Sequence, residues 1–387
     1  MRGIVVGGAG GMGRVAVRDL ARSAGVERVT VADLEGKRAT RVAEEAGGHA
    51  DVRAVAVDLA GAEFTEILKG HDFCISSVAY RLNPVVAEAC LAAGCHYVDL
   101  GGLFHVALEV LALGDRYRNA GLTGVTCVGG GPGITNMLAV VGARELDSVR
   151  AIHVRLGSMD PSSEGLPLPI PYSLDTILDE FTIPAMAYRD GRFVEVQPLG
   201  EPEDVSFPEP IGRRRAFTTL HSEVATLPRA FPGVEEVTFK IAFEPAFVER
   251  FQLLAAMGLA SPEPLDVGGA RVRPREVLAA MGRRLPQAAG LEDVECLRVE
   301  LLGEKDGSPT SVVAESLIQP DREWGAGAGA LDTGIPPSIV AQMIMAGEVK
   351  GPGMFAPEEA VDADRFFARL SERGITGTVR SSPGPGG

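Results

Sequence analysis

The segment TTLHSEVATLP, residues 218–228, places a histidine, a serine and a glutamate next to one another. These residue types suit the nucleophile, base and acid of a hydrolase, or a metal site. In an extended strand, however, His221 and Glu223 share one face, and Ser222 points the opposite way. Neighbouring residues so placed do not form the serine–histidine hydrogen bond that nucleophilic catalysis requires. The segment therefore predicts a pocket wall that also includes Thr219, rather than a nucleophile.

A glycine-rich turn near the N-terminus carries a second chemical signature, in the segment GGAGGMG at residues 7–13. It contains the G-x-G-x-x-G spacing, which permits a tight turn, close approach of the backbone to a pyrophosphate, and close packing of strand and helix. The turn follows an apolar strand and opens a helix, whose free N–H groups attract phosphate. The predicted phosphate-binding residues are Gly8, Gly10, Gly11, Met12 and Gly13.

Asp33 supports the same interpretation of the glycine-rich turn. It ends the second predicted strand, 20 residues after Gly13, where a carboxylate accepts hydrogen bonds from the adenine ribose. Its charge would repel a ribose 2′-phosphate, so NAD is the predicted cofactor and NADP is less favoured. Lys37 and Arg38 lie close enough in the sequence to weaken that preference.

Further polar residues follow the predicted parallel strands at their carboxyl ends, where open α/β sheets bind ligands. Asp99 ends the strand CHYVD and precedes two glycines that let another group approach, so it is a candidate proton acceptor or a loop carboxylate. Asp58 fits either an adenine contact or a helix cap. The residues expected beside the nicotinamide and the substrate are Ser76, Ser77, Val78, Tyr80 and Gly101.

The elements that position these residues change in character along the chain. Up to residue 145, strands and helices alternate, which predicts an α/β fold with a doubly wound parallel sheet of the Rossmann type. Beyond it, proline-rich loops separate the strands and a hairpin turns at Asp306 and Gly307, which predicts an α+β domain. The predicted organisation is a dinucleotide-binding domain (1–128), a substrate and dimerisation domain (129–328), a helical segment returning to the first domain (329–380) and a disordered tail (381–387).

The composition argues against several classes of function. The net charge of −15 disfavours a nucleic-acid partner, because phosphate binding needs a basic surface. No apolar run approaches the ~20 residues of a membrane span, and no signal peptide is visible. Five cysteines without a CxxC motif are typical of reduced, buried thiols in a cytoplasmic protein. Six scattered histidines lack the spacing of metal ligands, so no metal is expected.

Several segments together resemble the saccharopine dehydrogenase and lysine 6-dehydrogenase family: GGAGGMG, YVDLGG, GGGPGITNMLA, LDEFTIPAMAYRDG, TTLHSEVATLP and VDADRFFARLSERGI. The resemblance implies NAD(P)-dependent oxidation of the C–N bond of an amino acid, in a homodimer, with the substrate between the two domains near Tyr80 and Asp99. It also implies that Lys240, in VTFKIAF, binds a substrate carboxylate. Phe243 stands where members often have arginine, which favours a smaller amino acid such as lysine over saccharopine.

Oxidation of an amine by NAD requires a group that accepts the amine proton. Asp99 or His221 is the expected acceptor, and Lys240, Tyr80, Glu223 and Thr219 are expected to bind or orient the substrate. A hydrolase is disfavoured because the chain has no G-x-S-x-G motif. A protein of the same fold that binds NAD without catalysis, as a sensor or scaffold, is the alternative; it would bind NAD without reducing it in the presence of amines.

Overall fold

The computed structural model describes residues 1–61, 63–286, 288 and 291–384. The first part of the chain contains β1 (Arg2–Val6), α1 (Gly13–Arg22), β2 (Arg28–Asp33), α2 (Gly36–Glu45), β3 (Asp51–Ala56), α3 (Phe64–Leu68), β4 (Phe73–Ser76), α4 (Asn83–Ala93), β5 (His96–Asp99), α5 (Phe104–Leu111), α6 (Gly114–Asn119) and β6 (Thr123–Val125).

The second part contains α7 (Ile134–Ala143), β7 (Ser148–Met159), α8 (Leu174–Thr182), β8 (Ala185–Arg189), β9 (Arg192–Val196), β10 (Gly200–Ser206), β11 (Arg213–Thr218), α9 (Glu223–Ala230), β12 (Glu236–Ala242), α10 (Pro245–Ala256), β13 (Leu265–Val267), β14 (Ala270–Val272), α11 (Pro274–Gly282), β15 (Val294–Lys305) and β16 (Ser308–Ile318). The last part contains α12 (Ala328–Met345), β17 (Gly353–Phe355), α13 (Pro357–Ala360), α14 (Ala363–Ser371) and β18 (Thr378–Pro383).

The first domain is built on a parallel sheet of seven strands in the order β17-β6-β5-β4-β1-β2-β3. Helices cover both faces, since buried residues of α1 and α2 belong to one apolar cluster and those of α4 and α6 to another. The central strands β1 and β4 are mostly apolar, as strands buried on both faces are. The predicted Rossmann-type sheet is confirmed, and its order reverses direction between β1 and β4, where such sheets bind ligands.

The second domain is a mixed sheet whose central strands run in the order β10-β11-β12-β7-β15-β16-β18. Only β12 and β7 pair in parallel along this path, and the other neighbours are antiparallel. The predicted hairpin connects β15 and β16, and its turn residues Asp306 and Gly307 have φ of 51° and 72°. Positive φ at both positions suits a tight hairpin, which Asp-Gly favours.

Helix α12 connects the two domains. It packs against α1 of the first domain and against β15 of the second, and its buried Ile335 and Ile339 belong to the same apolar cluster as Val5 and Val299. Because one core includes residues of both sheets, α12 holds the carboxyl edge of the parallel sheet against the second domain. None of the helices in the described part of the chain is long and apolar enough to cross a membrane.

Two sequence-based expectations about local structure are wrong. Residues 381–383, predicted within a disordered tail, continue β18, which fills the open edge of β16 with Ser381 opposite Val312; residues 385–387 lie outside the described residues. The strand expected through His221 ends at Thr218, and Glu223 begins α9. A glutamate in the first turn of a helix is stabilised by the helix dipole, which favours this start.

Candidate active site

The glycine-rich turn lies between the carboxyl ends of β1 and β4. The N–H groups of Gly7 and Gly8 donate to the carbonyl oxygen of Ala32, at 2.8 and 3.2 Å. Gly7 has φ of 75°, and a side chain there would clash with the carbonyl of Ser77. Around Gly11, by contrast, an added Cβ would meet no atom within 4 Å. The turn is therefore tightly packed on the protein side and open on the outer side, a cradle that fits the pyrophosphate of a dinucleotide.

Asp33 is held at the edge of this cradle. Its two carboxylate oxygens accept hydrogen bonds from the N–H groups of Ala9, at 3.1 Å, and Glu35, at 3.0 Å. The Nη2 atom of Arg38 lies on the other side of the turn, 3.2 Å from the carbonyl oxygen of Ala9. The neighbouring Leu34 is 71% exposed. A fixed carboxylate beside an exposed apolar surface fits an adenosine, with the ribose on Asp33 and the adenine on Leu34.

The other predicted cofactor residues divide into two groups. Ser76 is buried and donates from its hydroxyl to Asn83, whose amide in turn donates to the carbonyl oxygen of Gly101. Asn83 thus fixes the ends of β4 and β5 relative to each other, while Ser77 and Val78 stay partly exposed beside the glycine-rich turn. Asp58 accepts from the N–H of Ala60, as in a turn, so this contact matches a structural role.

Asp99 lies at the carboxyl end of β5, and no part of its side chain is exposed. Its carboxylate accepts hydrogen bonds from Gly101 N (2.6 Å), Cys127 N (2.9 Å), Tyr97 Oη (2.8 Å) and Thr126 Oγ1 (2.8 Å). Burial raises the pKa of Asp99, and these donors oppose the rise. Because these four donors occupy its oxygens, Asp99 fixes the loops after β5 and β6. Its side chain does not face the space between the two domains.

His221 lies in the loop between β11 and α9, with its ring stacked on Phe239 of β12 at a centroid distance of 3.8 Å and an interplanar angle of 2°. Its Nδ1 is hydrogen-bonded to a carboxylate oxygen of Glu223. Its Nε2 forms no hydrogen bond with any residue in the described part of the chain. A carboxylate on Nδ1 selects the tautomer and leaves Nε2 as the atom that exchanges protons.

Glu223 is fully buried and accepts a second hydrogen bond, from Thr135 Oγ1 at 2.9 Å. Its Oε1 lies 3.4 Å from where a Cβ would stand at Gly131. The loop that contains Gly131 follows β6. It packs on the end of β5, because Pro132 contacts Gly101. Glu223 and His221 therefore lie against the carboxyl edge of the parallel sheet, on the side of the second domain.

Glu180 of α8 also faces His221. Its carboxyl accepts a hydrogen bond from the hydroxyl of Tyr172 at 2.5 Å. Burial raises the pKa of Glu180 to about 7, and the charge of His221 opposes the rise. Burial alone would lower the pKa of His221, but Glu223 and Glu180 raise it above its ordinary value of 6.5. Glu180, whose pKa lies near neutral pH, thus lies beside His221, as general acid–base catalysis requires.

Tyr80 and its neighbour form a contact between the domains. The hydroxyl of Tyr80 donates to Asp179 of α8 at 2.6 Å, and Arg81 forms an ion pair with the same carboxylate. Arg275 of α11 pairs with the other oxygen at 2.7 Å. Since Asp179 precedes Glu180 in α8, this network positions the helix that carries Glu180.

Lys240 and Thr219 do not line a common open surface with His221. Lys240 follows Phe239 in β12 and so lies on the opposite face of the sheet, where its Nζ donates to Glu203 at 2.7 Å. Thr219 is fully buried, and its hydroxyl has no hydrogen-bond partner in the described residues. The expected carboxylate-binding role of Lys240 therefore has no support in its position.

Sequence reasoning missed several acidic residues of this region: Glu180, Asp293, Glu295 and Asp332. They come from α8, the start of β15 and α12, which are far apart in the chain. The segment LDEFTIPAMAYRDG contains Glu180 and is one of the segments that resemble a known family, but no spacing relates it to His221. In the described residues, no group of three or more His, Cys, Asp or Glu side chains has the geometry of a metal site, and all five cysteines are buried and free.

Comparison with known protein families agrees with this geometry. Residues 4–125 match the saccharopine dehydrogenase NADP binding domain, and residues 129–375 match the saccharopine dehydrogenase C-terminal domain. The chain belongs to the saccharopine dehydrogenase family. The predicted family and its nicotinamide-dinucleotide-binding oxidoreductase class are confirmed, whereas NAD is not distinguished from NADP and an amino-acid substrate is not established.

Two curated relatives are similar to most of this chain. Carboxyaminopropylagmatine dehydrogenase from Synechocystis is 24% identical over 97% of this chain and 96% of its own length. Carboxynorspermidine synthase from Vibrio cholerae is 24% identical over 79% of this chain and 76% of its own length. Among solved structures, saccharopine dehydrogenase (L-Glu forming) from Saccharomyces cerevisiae has a TM-score of 0.76 at 18% identity, covering 98% of this chain and 99% of that one. That structure confirms the fold.

Proposed function

We propose that this saccharopine dehydrogenase family member is an NAD(P)-dependent oxidoreductase that forms or cleaves a C–N bond through an imine, with His221 as the group that transfers the proton. The observation that carries the proposal is the arrangement of His221: Nδ1 is held by Glu223, Nε2 is free in the described structure, and Glu180 lies opposite. This group stands against the edge of the parallel sheet at which the dinucleotide cradle also lies.

In the reductive direction, an amine and an aldehyde condense to an imine and release water. A bound reduced nicotinamide supplies the hydride that adds to the imine carbon. The imidazolium of His221 donates its Nε2 proton to the imine nitrogen, so the product is a secondary amine and His221 becomes neutral. Glu223 stabilises the imidazolium before the transfer, and the buried Glu180 returns a proton to the site afterwards. Oxidation is the reverse of these steps.

The proposed substrate is a short aliphatic amine of the polyamine class. The names of the two relatives, carboxyaminopropylagmatine dehydrogenase and carboxynorspermidine synthase, support this class. Lysine, the substrate first expected, would place a carboxylate on the amine itself, near the acidic Glu180 and Glu223 around His221, and Lys240 is already engaged by Glu203. A diamine or a guanidino-amine therefore fits the residues around His221 better.

NAD is the proposed cofactor, because the fixed carboxylate of Asp33 would lie beside any ribose 2′-phosphate and repel it. Arg38 forms contacts with the carbonyl of Ala9 and with Glu35 and is only partly available to a phosphate. We also keep the homodimer as a proposal, to be measured by analytical ultracentrifugation.

The experiment that tests the proposal follows the oxidation of NADH and NADPH by absorbance. The purified protein is mixed with agmatine, 1,3-diaminopropane or lysine, each with a short aldehyde that carries an α-amino acid group. We expect oxidation of NADH that requires both amine and aldehyde, with a mass matching the reduced adduct. If the protein binds NADH yet no pair of substrates is converted, the proposed function is wrong and the non-catalytic sensor remains.

A further inference from the structure

A second group of acidic residues lies next to the His221 group and takes no part in the proposed proton transfer. It consists of Asp293, Glu295 and Asp332, from the segment leading into β15, from β15 and from α12. The three carboxyl groups are close enough to raise one another's pKa, and burial raises the pKa of Glu295 to about 7. In the described part of the chain, no lysine, arginine or histidine forms an ion pair with any of them.

Asp332 is the deepest member of this group. It is only 1% exposed, and its Oδ2 atom is buried without a hydrogen-bond partner in the described residues, while Oδ1 accepts from the hydroxyl of Thr333. Glu295 likewise has no hydrogen bond from a described residue. Asp293 accepts from the N–H of Gly329 at 3.3 Å, at the start of α12. A buried carboxyl oxygen without a partner is costly, so the position calls for a donor that the protein itself does not supply.

The glycine loop after β6 separates Asp332 from the His221 group. A Cβ at Gly130 would stand 2.8 Å from the carboxyl carbon of Asp332, and one at Gly131 would stand 3.4 Å from Glu223. Adjacent glycines thus place one backbone strip in contact with both acids, and a side chain at Gly130 would collide with Asp332. Two residues further along α12, on the roughly opposite side of the helix, Gly334 packs on the carbonyl of Met12, just before α1. Asp332 therefore lies between the cofactor cradle and the reacting centre.

Glu295 extends the acidic surface from the other side. It interacts electrostatically with Tyr172, whose hydroxyl is hydrogen-bonded to Glu180 beside His221. Tyr172 therefore links the two acidic groups, since both Glu180 and Glu295 act on it. Carboxylates spaced in this way attract a molecule with positive charges at intervals.

We propose that Asp332 and Glu295, with Asp293 behind them, bind a second positively charged nitrogen of the amine substrate, an ammonium or a guanidinium group, while the first nitrogen reacts at His221. This inference rests on the proposed function and specifies how that site selects its substrate. A charge-assisted hydrogen bond from this nitrogen gives the free oxygen of Asp332 a partner. The neighbouring carboxylates balance the positive charge of the nitrogen. An amine whose far end is uncharged leaves these acids unpaired.

The test compares amines of matched length with and without the distal charge. KM is measured in the full-length protein with NADH for agmatine against 1-aminoheptane, and for 1,3-diaminopropane against 1-aminobutane. We expect Asp332→Asn and Glu295→Gln to raise KM for the charged amines about 10- to 100-fold and to change KM for the uncharged amines little. Agmatine and diaminopropane distinguish a guanidinium subsite from an ammonium subsite.

The matched control is Glu358→Gln. Glu358 is also a buried acid whose pKa is raised by burial to about 7 and whose oxygens have no hydrogen-bond partner in the described residues. It lies on α13, and the groups that influence its pKa are Thr226, Asn136 and Glu359, not the acids of the proposed subsite, so its loss should leave the preference for charged amines unchanged. Equal KM values for charged and uncharged amines in the wild type, or no effect of either subsite variant, would overturn the proposal.

A binding measurement separates failure of the subsite from failure of the proposed function. The thermal midpoint of the wild type should rise with agmatine in the absence of cofactor and turnover, and this rise should be lost in Asp332→Asn and retained in Glu358→Gln. Turnover of amines without this stabilisation would contradict the subsite alone. Stabilisation without any turnover would support the subsite and contradict the proposed reaction. Should Asp332→Asn fail to fold, Glu295→Gln provides the same comparison.

Discussion

Two buried charged groups lie on opposite faces of the same strand, β12, and differ in how their charges are balanced. On one face His221 stacks on Phe239, with Glu223 and Glu180 around it. On the other face, Lys240 pairs with Glu203. Arg155 joins that second group, donating to Glu203 at 3.0 and 3.2 Å.

The pKa values of the two faces show what the difference means. Burial alone would raise the pKa of Glu203, but Arg155 and Lys240 lower it to about 2, so its charge is permanent at neutral pH. On the His221 face, one histidine faces two carboxyl groups, and burial raises the pKa of Glu180 to about 7. A carboxylate that is paired with enough positive charge stabilises the fold. A carboxyl group with too little positive charge around it is available for proton transfer and for a charged ligand.

The largest expected effect comes from His221→Gln. The amide cannot donate a proton to an imine, so kcat/KM should fall by about 10²- to 10⁴-fold, with the affinity for NADH unchanged. Substrate-dependent oxidation of NADH and fluorescence titration of NADH measure the two quantities. A loss of less than threefold would remove His221 from the proton-transfer role.

The pH dependence of the reductive reaction should depend on Glu223. The pKa of His221 is raised by Glu223 and Glu180, so the donating imidazolium persists above pH 6.5 and kcat falls about tenfold per pH unit beyond the raised pKa. In Glu223→Gln the support of that carboxylate is lost, and the fall in kcat should move to lower pH. Superimposable kcat profiles for wild type and variant would contradict the assigned coupling.

Stability should depend on pH in opposite directions for the two faces. Glu180 has a pKa of about 7 in the folded protein against an ordinary 4.5, so its contribution is complete below pH 4.5 and is lost as pH rises through 7. Glu203 has a pKa of about 2, so its contribution is present above 4.5 and is lost as pH falls towards 2. Thermal unfolding of Glu180→Gln should show a smaller loss between pH 5 and 8 than the wild type. An unchanged curve would show that Glu180 is already ionised when folded.

The smallest effect on activity is expected from Lys240→Met. Its apolar chain replaces most of the lysine volume, and Glu203 keeps Arg155, so the free energy of unfolding should fall by about 1–2 kcal/mol. Since Lys240 lies on the face away from His221, kcat/KM should stay within about twofold of the wild type. Denaturant unfolding and steady-state kinetics check both parts; a large rise in KM with full stability would restore Lys240 as a substrate ligand.

Local sequence signals predicted the Rossmann-type sheet and the hairpin turn, and the cofactor contacts of the glycine-rich turn stay a prediction. The glycine spacing and the Asp306-Gly307 turn each act within a few residues, so their geometry follows from residue type. Asp33 was found by its position at the end of the second strand, 20 residues after Gly13. Gly7 was not predicted, because its close contact is with Ser77 on another strand.

The substrate side depends on contacts that a single sequence does not reveal. His221 and Glu223 were predicted to meet on a strand, and they do meet, but through a loop and a helix start. Asp99 stands at a strand end as predicted, yet whether its oxygens are free depends on Tyr97 and Gly101 nearby and on Cys127 of the loop after β6. Glu180 and Asp332 become neighbours of the site only when α8 and α12 pack against it.

The most direct test of the central claim uses NADH carrying deuterium at the transferred position. With agmatine and the aldehyde that bears an α-amino acid group, mass spectrometry should show one deuterium on the carbon attached to the new secondary amine. His221→Gln should form this product at least 100-fold more slowly. A product without deuterium, or equal rates for the wild type and the variant, would contradict reduction of an imine with His221 as the proton donor.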